Sequence, residues 1–366
     1  MLVLIQLFIT EPLTANAAES LDIGAESAIL VDAETGKVLY AKNPDVALPP
    51  ASMTKMMTEY LVWEAVENGQ ISWDTTTQIS DYAYSISANT VFSGVGLKQQ
   101  QDYTVEELYE AMAINSDNAT TIALAELISG SEGEFVKLMN QKAEELGLSE
   151  AEFVNSTGLD NEDLDGNHPE GTDPNGTNLL SARSAAQLGY HLVNDYPGAL
   201  DVAKIPVTEF DGQTIRNWNY MLPHEGENLG QFFYEGVDGL KTGFTNLAGH
   251  SFTGTAIRDG NRLITVVMRT SSDTERFVET AQLLDHGYSK FQSEELFPAG
   301  YQSEDQGTVP VAKGKQDEVN VSLSEAVRIP IQADEAELYS IEYHIDEDKL
   351  NEDGELVAPI EKGEVV

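Results

Sequence analysis

The chain has 366 residues, 41% of them hydrophobic and 8% aromatic, enough for well-packed cores and more than one average domain of ~150 residues requires. Acidic residues outnumber basic ones 62 to 20, a formal charge of −42, which excludes nucleic acid as a partner and gives an anionic membrane surface nothing to attract. No cysteine is present, so disulfides, thiolate metal sites and cysteine nucleophiles are excluded.

A charge this far from zero exceeds what solubility requires. It reads as a salt-adapted surface, whose carboxylates repel one another until concentrated salt screens them. The chain opens with Met1-Leu2-Val3-Leu4-Ile5-Gln6-Leu7-Phe8-Ile9, an apolar run too short to span a bilayer. Ala15-Asn16-Ala17 follows as an A-x-A cleavage pattern, so residues 1–17 read as a secretory signal peptide without its basic n-region. Export is the expectation, and no later stretch is apolar enough for a transmembrane helix.

Ser27–Asp32 and residues 37–41 flank Ala33-Glu34-Thr35-Gly36, the pattern of a β-hairpin. After Pro49-Pro50, residues 53–67 carry helical spacing of Met, Leu, Val and Ala, with Ser52 at their start. Thr104-Val105-Glu106-Glu107 is a capping box that opens a helix through Ala113. Further helices are expected over 119–128, over 134–146 with Gly147 closing it, and over 181–194 with Ser181 as cap. Val237–Thr245, 250–258 and 262–270 read as strands, the last two joined by Asp259-Gly260. Helices in the middle and strands at both ends predict an α/β domain whose antiparallel sheet is built from both chain ends. From about Phe297 the pattern changes to short strands at Thr308–Ala312, 318–323, 326–331 and 338–345, a small β-rich region.

Three short patterns carry the chemistry. In Ser52-Met53-Thr54-Lys55 the i,i+3 spacing brings a hydroxyl and an amine to one helix face, and a neutral amine there is able to take the Ser proton. Among the lysines only Lys55 has a Ser three residues before it. The bland alternative is a helix-capping Ser beside a surface Lys. Ser116-Asp117-Asn118 lies between two helices, where a hydroxyl and an amide face a cleft, or it is a plain turn. Ser87-Ala88-Asn89 has the same form and serves as a decoy. Lys241-Thr242-Gly243 ends a strand; its cation and hydroxyl suit a carboxylate, and its Gly admits a ligand or another backbone. An edge-strand Lys before a turn is the plain reading.

In this order the set S-x-x-K, S-x-N, K-T-G is that of penicillin-binding proteins and serine β-lactamases. The stretches Ala28-Ile29-Leu30-Val31-Asp32-Ala33-Glu34-Thr35-Gly36-Lys37-Val38-Leu39-Tyr40 and Pro50-Ala51-Ser52-Met53-Thr54-Lys55-Met56-Met57-Thr58 closely resemble low-molecular-mass D-alanyl-D-alanine carboxypeptidases. So do Phe153-Val154-Asn155-Ser156-Thr157-Gly158-Leu159, Gly239-Leu240-Lys241-Thr242-Gly243-Phe244-Thr245 and Leu283-Leu284-Asp285-His286-Gly287-Tyr288. The resemblance implies a penicillin-binding-protein/β-lactamase-like domain, an antiparallel sheet with helices on both sides plus a helical subdomain, over residues 18–291. A β-rich domain over 297–366 would follow and stop before the amphipathic membrane helix with which the family usually ends; either the chain is truncated there or the enzyme is released, and membrane contact is expected only if that helix is missing from this chain.

The implied activity is removal of the terminal D-Ala from peptidoglycan stem peptides ending in D-Ala-D-Ala, outside the cell membrane, with no cofactor and no metal. β-Lactam antibiotics would be bound too. Ser52 would be the nucleophile, Lys55 its proton acceptor, Ser116 the relay to the leaving group, and Asn118 the holder of the substrate amide. Lys241, Thr242 and Gly243 would bind the terminal carboxylate, and the backbone N–H groups of Ser52 and Phe244 would form the oxyanion hole. Some relatives carry His where Phe244 stands. The Asp-, Asn- and Gly-rich segment 160–178 is longer than the family loop and reads as a salt-adapted insertion or a fortuitous metal site. The rivals are a serine β-lactamase, which generally lacks a second β-rich domain, and a noncatalytic peptidoglycan-binding protein, which would not need Ser52, Lys55, Ser116 and Lys241.

Overall fold

The computed structural model describes residues 6–9, 21–164, 166–224, 228–303, 307–333, 335–343 and 345–360. The cleavage pattern Ala15-Asn16-Ala17 lies outside them. Of the apolar leader only Gln6–Ile9 is described, as a strand antiparallel to Tyr339–Glu342. The chain divides into two units: Leu21–Gly287, and a second that combines Gln6–Ile9 with the chain from Tyr288 onward.

The larger unit is built on a five-stranded sheet in the order Val237–Thr245, Gly249–Arg258, Asn261–Thr270, Ser27–Asp32, Val38–Lys42. All neighbours are antiparallel, so the sheet does join strands from both ends of the chain. At the Asp259-Gly260 turn both residues hold left-handed backbone, φ 50° and 84°, as a tight hairpin of this twist requires.

Helices cover both faces. Successive strand residues point to opposite sides, and Leu263 and Ile264 show which helix takes which side. Gly287 of α8 (Glu275–Lys290) lies against Leu263 and Leu30, while Gly189 of α6 (Ala182–Asp195) lies against Ile264 and Leu240. A Cβ on Gly287 would strike Leu263, and one on Gly189 would be tight against Leu240. The α6 face of the sheet continues into the main core, where Ile29, Ile264 and Val266 join Met56, Leu108 and Ile122 from the helices.

Those helices are α1 (Lys55–Glu67), α2 (Asp81–Ala88), α3 (Val105–Asn115), α4 (Asn118–Ser129) and α5 (Glu132–Glu145). Residues 55–62 of α1 are buried without interruption, which marks a helix enclosed on all sides. The Thr104 capping box forms as expected: Thr104 Oγ accepts from Glu107 N, and Thr104 N donates to Glu107 Oε2 at 2.8 Å. Helix α5 begins two residues earlier than the apolar pattern indicates, because Ser131 is its cap. Helices α2, α7 (Ala199–Ala203) and α8 were not expected from the sequence.

The second unit is β-rich. Gln292–Phe297 pairs with Val327–Ile331, and Thr308–Ala312 lies between Glu318–Asn320 and Leu356–Val357.

Candidate active site

Ser52 does not cap a helix. It sits in a single 3₁₀ turn, Ala51–Thr54, that runs straight into α1. The turn is entered through Ala51 at φ 47°, a left-handed backbone that costs a non-glycine residue ~1 kcal/mol or more and persists only where neighbours impose it. Two glycines impose it. A Cβ on Gly158 would strike the Ala51 carbonyl oxygen, and one on Gly243 would strike that of Pro50. The backbones of the 155–159 loop and of the K-T-G strand therefore press directly on the serine turn.

Lys55 is fully buried, the opposite of a surface lysine. Its Nζ lies 3.0 Å from Ser52 Oγ, 2.8 Å from Asn118 Oδ1 and 2.8 Å from the Thr157 carbonyl oxygen. Burial, reinforced by the nearby Lys241 cation, holds its amine well below the ordinary lysine range, against the pull of Asp117, Glu59 and Glu132. A neutral amine has two protons and one lone pair. Once the amine is neutral, Asn118 and Thr157 can take both its protons, which leaves the lone pair for the Ser52 hydroxyl.

The S-D-N segment connects α3 to α4. Ser116 is the left-handed cap of α3 (φ 62°), Asp117 caps α4 by accepting from Thr120 N at 2.6 Å, and Asn118 is the first residue of α4. Ser116 Oγ is buried and has no hydrogen-bond partner among the described residues. Such a hydroxyl is uncommitted in a place where polar groups are normally paired. Asn118 also has partners within the protein. Its Oδ1 is given to Lys55 and its Nδ2 donates to the Ser93 carbonyl at 3.1 Å, so in this state it orients the amine. The decoy is structural: Ser87 Oγ accepts from Leu97 N and Asn89 Oδ1 from Val91 N.

Lys241 and Thr242 are buried on the strand Val237–Thr245, opposite Thr253 and Phe252. Burial lowers the Lys241 amine to about 8, with Glu59 pulling it up and Arg276 pushing it further down. Phe244 is half exposed and stacks on His250, ring centroids 4.3 Å apart. Three participants escaped the sequence reading. Arg276, in the first turn of α8, donates from Nη1 to the Gly243 carbonyl at 3.3 Å, and no motif marks a lone Arg there. Thr157 acts through its backbone, which side-chain patterns do not report. Glu59 lies one turn beyond Lys55 on α1, where a buried acid looks like any helical Glu.

The segment 160–178 is a hydrogen-bonded pedestal for the 155–159 loop. Asn178 Oδ1 accepts from Val154 N and Asn155 N, and its Nδ2 donates to Thr54 Oγ1 at 2.9 Å. Asn155 Oδ1 in turn accepts from Thr157 N and Gly158 N. Among the described residues no group of three His, Asp or Glu side chains is placed to hold a metal ion.

A helical subdomain seated on an antiparallel sheet, with a serine and a buried lysine where they meet, defines an active-site-serine acyl-transfer enzyme of the penicillin-binding type. Residues 14–272 match the D-alanyl-D-alanine carboxypeptidase family, and residues 291–366 match the penicillin-binding protein 5 C-terminal domain. The chain belongs to the D-alanyl-D-alanine carboxypeptidase family of serine peptidases, and its activity is that hydrolysis. It is 33% identical over 340 residues to the D-alanyl-D-alanine carboxypeptidase DacF of Bacillus subtilis, covering 93% of this chain and 79% of the relative. The crystal structure of a peptidoglycan synthesis regulatory factor, PBP3 of Streptococcus pneumoniae, is similar at a TM-score of 0.74 and 40% identity, over 85% of this chain and 86% of that one. The ampicillin-bound penicillin-binding protein D2 of Listeria monocytogenes is similar at 0.62 and 30%, over 74% and 99%. Action on peptidoglycan implies an exported location; among the described residues no helix is long and apolar enough to cross a membrane.

Proposed function

We propose that Ser52 Oγ attacks the carbonyl carbon of the penultimate D-Ala while its proton passes to Lys55 Nζ. The observation that carries this is the 3.0 Å approach of a fully buried amine, whose hold on its proton burial weakens, to that hydroxyl. The oxyanion is received by the backbone N–H groups of Ser52 and Phe244. Collapse breaks the C–N bond, and the unpartnered Ser116 hydroxyl relays a proton to the departing D-Ala amine. Water then cleaves the Ser52 ester, returning the hydroxyl and a stem peptide one residue shorter. Lys241 and Thr242 bind the terminal carboxylate, and Gly243 lets their strand approach the serine turn. Asn118 holds Lys55, and its second Nδ2 hydrogen serves the substrate amide.

β-Lactams acylate the same serine, in keeping with the ampicillin complex of the Listeria relative. The enzyme works at the outer face of the membrane or in the cell wall after removal of residues 1–17, and its −42 charge suits concentrated salt. Labelled penicillin followed by peptide mass spectrometry tests this reading. A stable adduct on Ser52, together with D-Ala release from a pentapeptide, is the expected result. Rapid penicillin turnover would mark a β-lactamase, and absence of any adduct a noncatalytic binding protein.

A further inference from the structure

At the end of the strand Gln213–Arg216 the side chains alternate: Ile215, Asn217 and Asn219 are buried, while Trp218 is 44% exposed. The backbone here is pinned from inside. Asn217 Nδ2 donates to the Ala203 and Ile205 carbonyls at 3.0 and 3.1 Å, and its Oδ1 accepts from Asn219 N at 2.9 Å. The indole is pinned too, because Trp218 Nε1 donates to the Asn115 carbonyl at 3.0 Å. Asn115 is the residue before Ser116, and its Nδ2 makes a longer contact, 3.5 Å, with the Arg216 carbonyl. Two residues beyond Trp218, the Tyr220 ring packs on Phe277 of α8, centroids 5.1 Å apart. Phe277 follows Arg276, whose Nη1 holds the Gly243 carbonyl. The segment 215–220 therefore runs from the S-D-N connection to the support of the K-T-G strand, and Trp218 is the large apolar side chain it leaves in solvent. An indole has one donor, and here a backbone oxygen takes it. What Trp218 offers a ligand is an apolar face already fixed in orientation.

We propose that Trp218 is a specificity-determining residue: its indole walls the subsite of the substrate's terminal residue and packs on that residue's methyl group. This rests on the roles proposed above for Ser116, which serves the departing amine, and for Lys241 and Thr242, which bind the departing carboxylate. The leaving D-Ala then has its amine at the S-D-N connection and its carboxylate at the K-T-G strand, the two places that segment 215–220 joins. Its remaining group is one methyl, and Trp218 is the apolar surface on that side. The acyl half of the substrate is assigned to Ser52, the oxyanion N–H groups and Asn118, so the wall bears on one side of the scissile bond.

Three N-acetylated tripeptides test this with the full chain: one ending in D-Ala-D-Ala, one with glycine in the last place, and one with glycine in the place before it. In the parent, loss of the terminal methyl is expected to lower kcat/KM about tenfold. Trp218→Ala is expected to lower kcat/KM for the peptides ending in D-Ala and to bring the ratio of terminal D-Ala to terminal glycine close to parity. The corresponding ratio for the penultimate place should stay as in the parent. So should hydrolysis of the acyl-enzyme, from which the terminal residue has already gone. Trp218→Phe, which keeps an apolar face and loses the bond to Asn115, should retain part of the terminal ratio. A terminal ratio that survives in Trp218→Ala, or parity already in the parent, would overturn the proposal. An equal loss on all three peptides would do the same, since it would make Trp218 only a brace for the Ser116 turn. Failure of the parent to release the terminal residue from any of them would instead overturn the catalytic roles beneath the inference, a result seen with Trp218 intact.

Discussion

The cleft and the surface treat charge in opposite ways. Around Ser52 three buried acids, Glu59, Asp117 and Glu132, face three buried bases, Lys55, Lys241 and Arg276. Over the whole chain acids outnumber bases 62 to 20. In a low-dielectric interior each charge needs a partner, because an unpaired one costs several kcal/mol. On the surface the i,i+3 pair Lys137–Glu134 is well exposed and contributes little, and so would its loss. Selection on surface charge is thus free to run to −42 while the cleft composition stays balanced.

The largest effects are expected where the cleft is broken. Ser52→Ala should abolish both the penicillin adduct and D-Ala release. Lys55→Met keeps most of the buried stem and removes the proton acceptor; kcat/KM should fall by ~10²–10⁴. Truncation to Ala is a poorer test than the sequence implies. Lys55 is fully buried, so Ala would add a cavity to the two acceptors, Asn118 Oδ1 and Thr157 O, that either variant leaves without a donor. An acylation rate for Lys55→Met near that of the parent would remove Lys55 from the mechanism.

Next in size is the backbone that shapes the serine turn. Gly158→Ala combines φ 86° with a Cβ driven into the Ala51 carbonyl, and should cost ~3 kcal/mol or more in urea unfolding. Gly36→Ala, at φ 72° but with open space around it, is the control and should cost only ~1 kcal/mol. Similar losses for the two would mean that the close approach contributes nothing. Smaller again is a pH effect: with Lys241 at about 8, kcat/KM should decline as pH rises through that value and the carboxylate loses its cation.

The same contrast decides what the sequence discloses. Side chains that meet through motif spacing were legible: Lys55 does bond Ser52 and Asn118, and Ser116 and Lys241 are buried in the same unit. The sheet was legible as well, because its strands alternate and its hairpins carry turn residues. Contributions made by backbone or by long-range packing were not. The Thr157 carbonyl has no side-chain signature, and Arg276 reaches Gly243 only because α8 crosses the sheet. Helix α8 itself was hidden by Thr280, Asp285 and Gly287 within its apolar spacing, although Gly287 is there for contact with Leu263. Helix α2 is short, with only Ala83 and Ile86 buried, too little for a periodic signal.

The last prediction sharpens the surface half of the comparison. Carboxylates at a net −42 lie near one another over much of the exterior, and their repulsion opposes the compact state. The Debye length falls from ~10 Å at 0.1 M salt to ~3 Å at 1 M, so added KCl should relieve most of that repulsion and raise the melting temperature. Lys55 and Lys241 are buried, where mobile ions do not reach, so salt should leave their charge states and the acylation rate per folded molecule nearly unchanged. Total activity should therefore rise with salt only as far as the folded fraction does. Melting curves and penicillin acylation, measured together between 0.1 and 2 M KCl, separate the two contributions. A melting temperature that does not rise over this range would remove the salt-adapted reading of the surface. It would leave the cleft assignments intact, because they rest on hydrogen-bond distances and burial around Ser52 rather than on net charge.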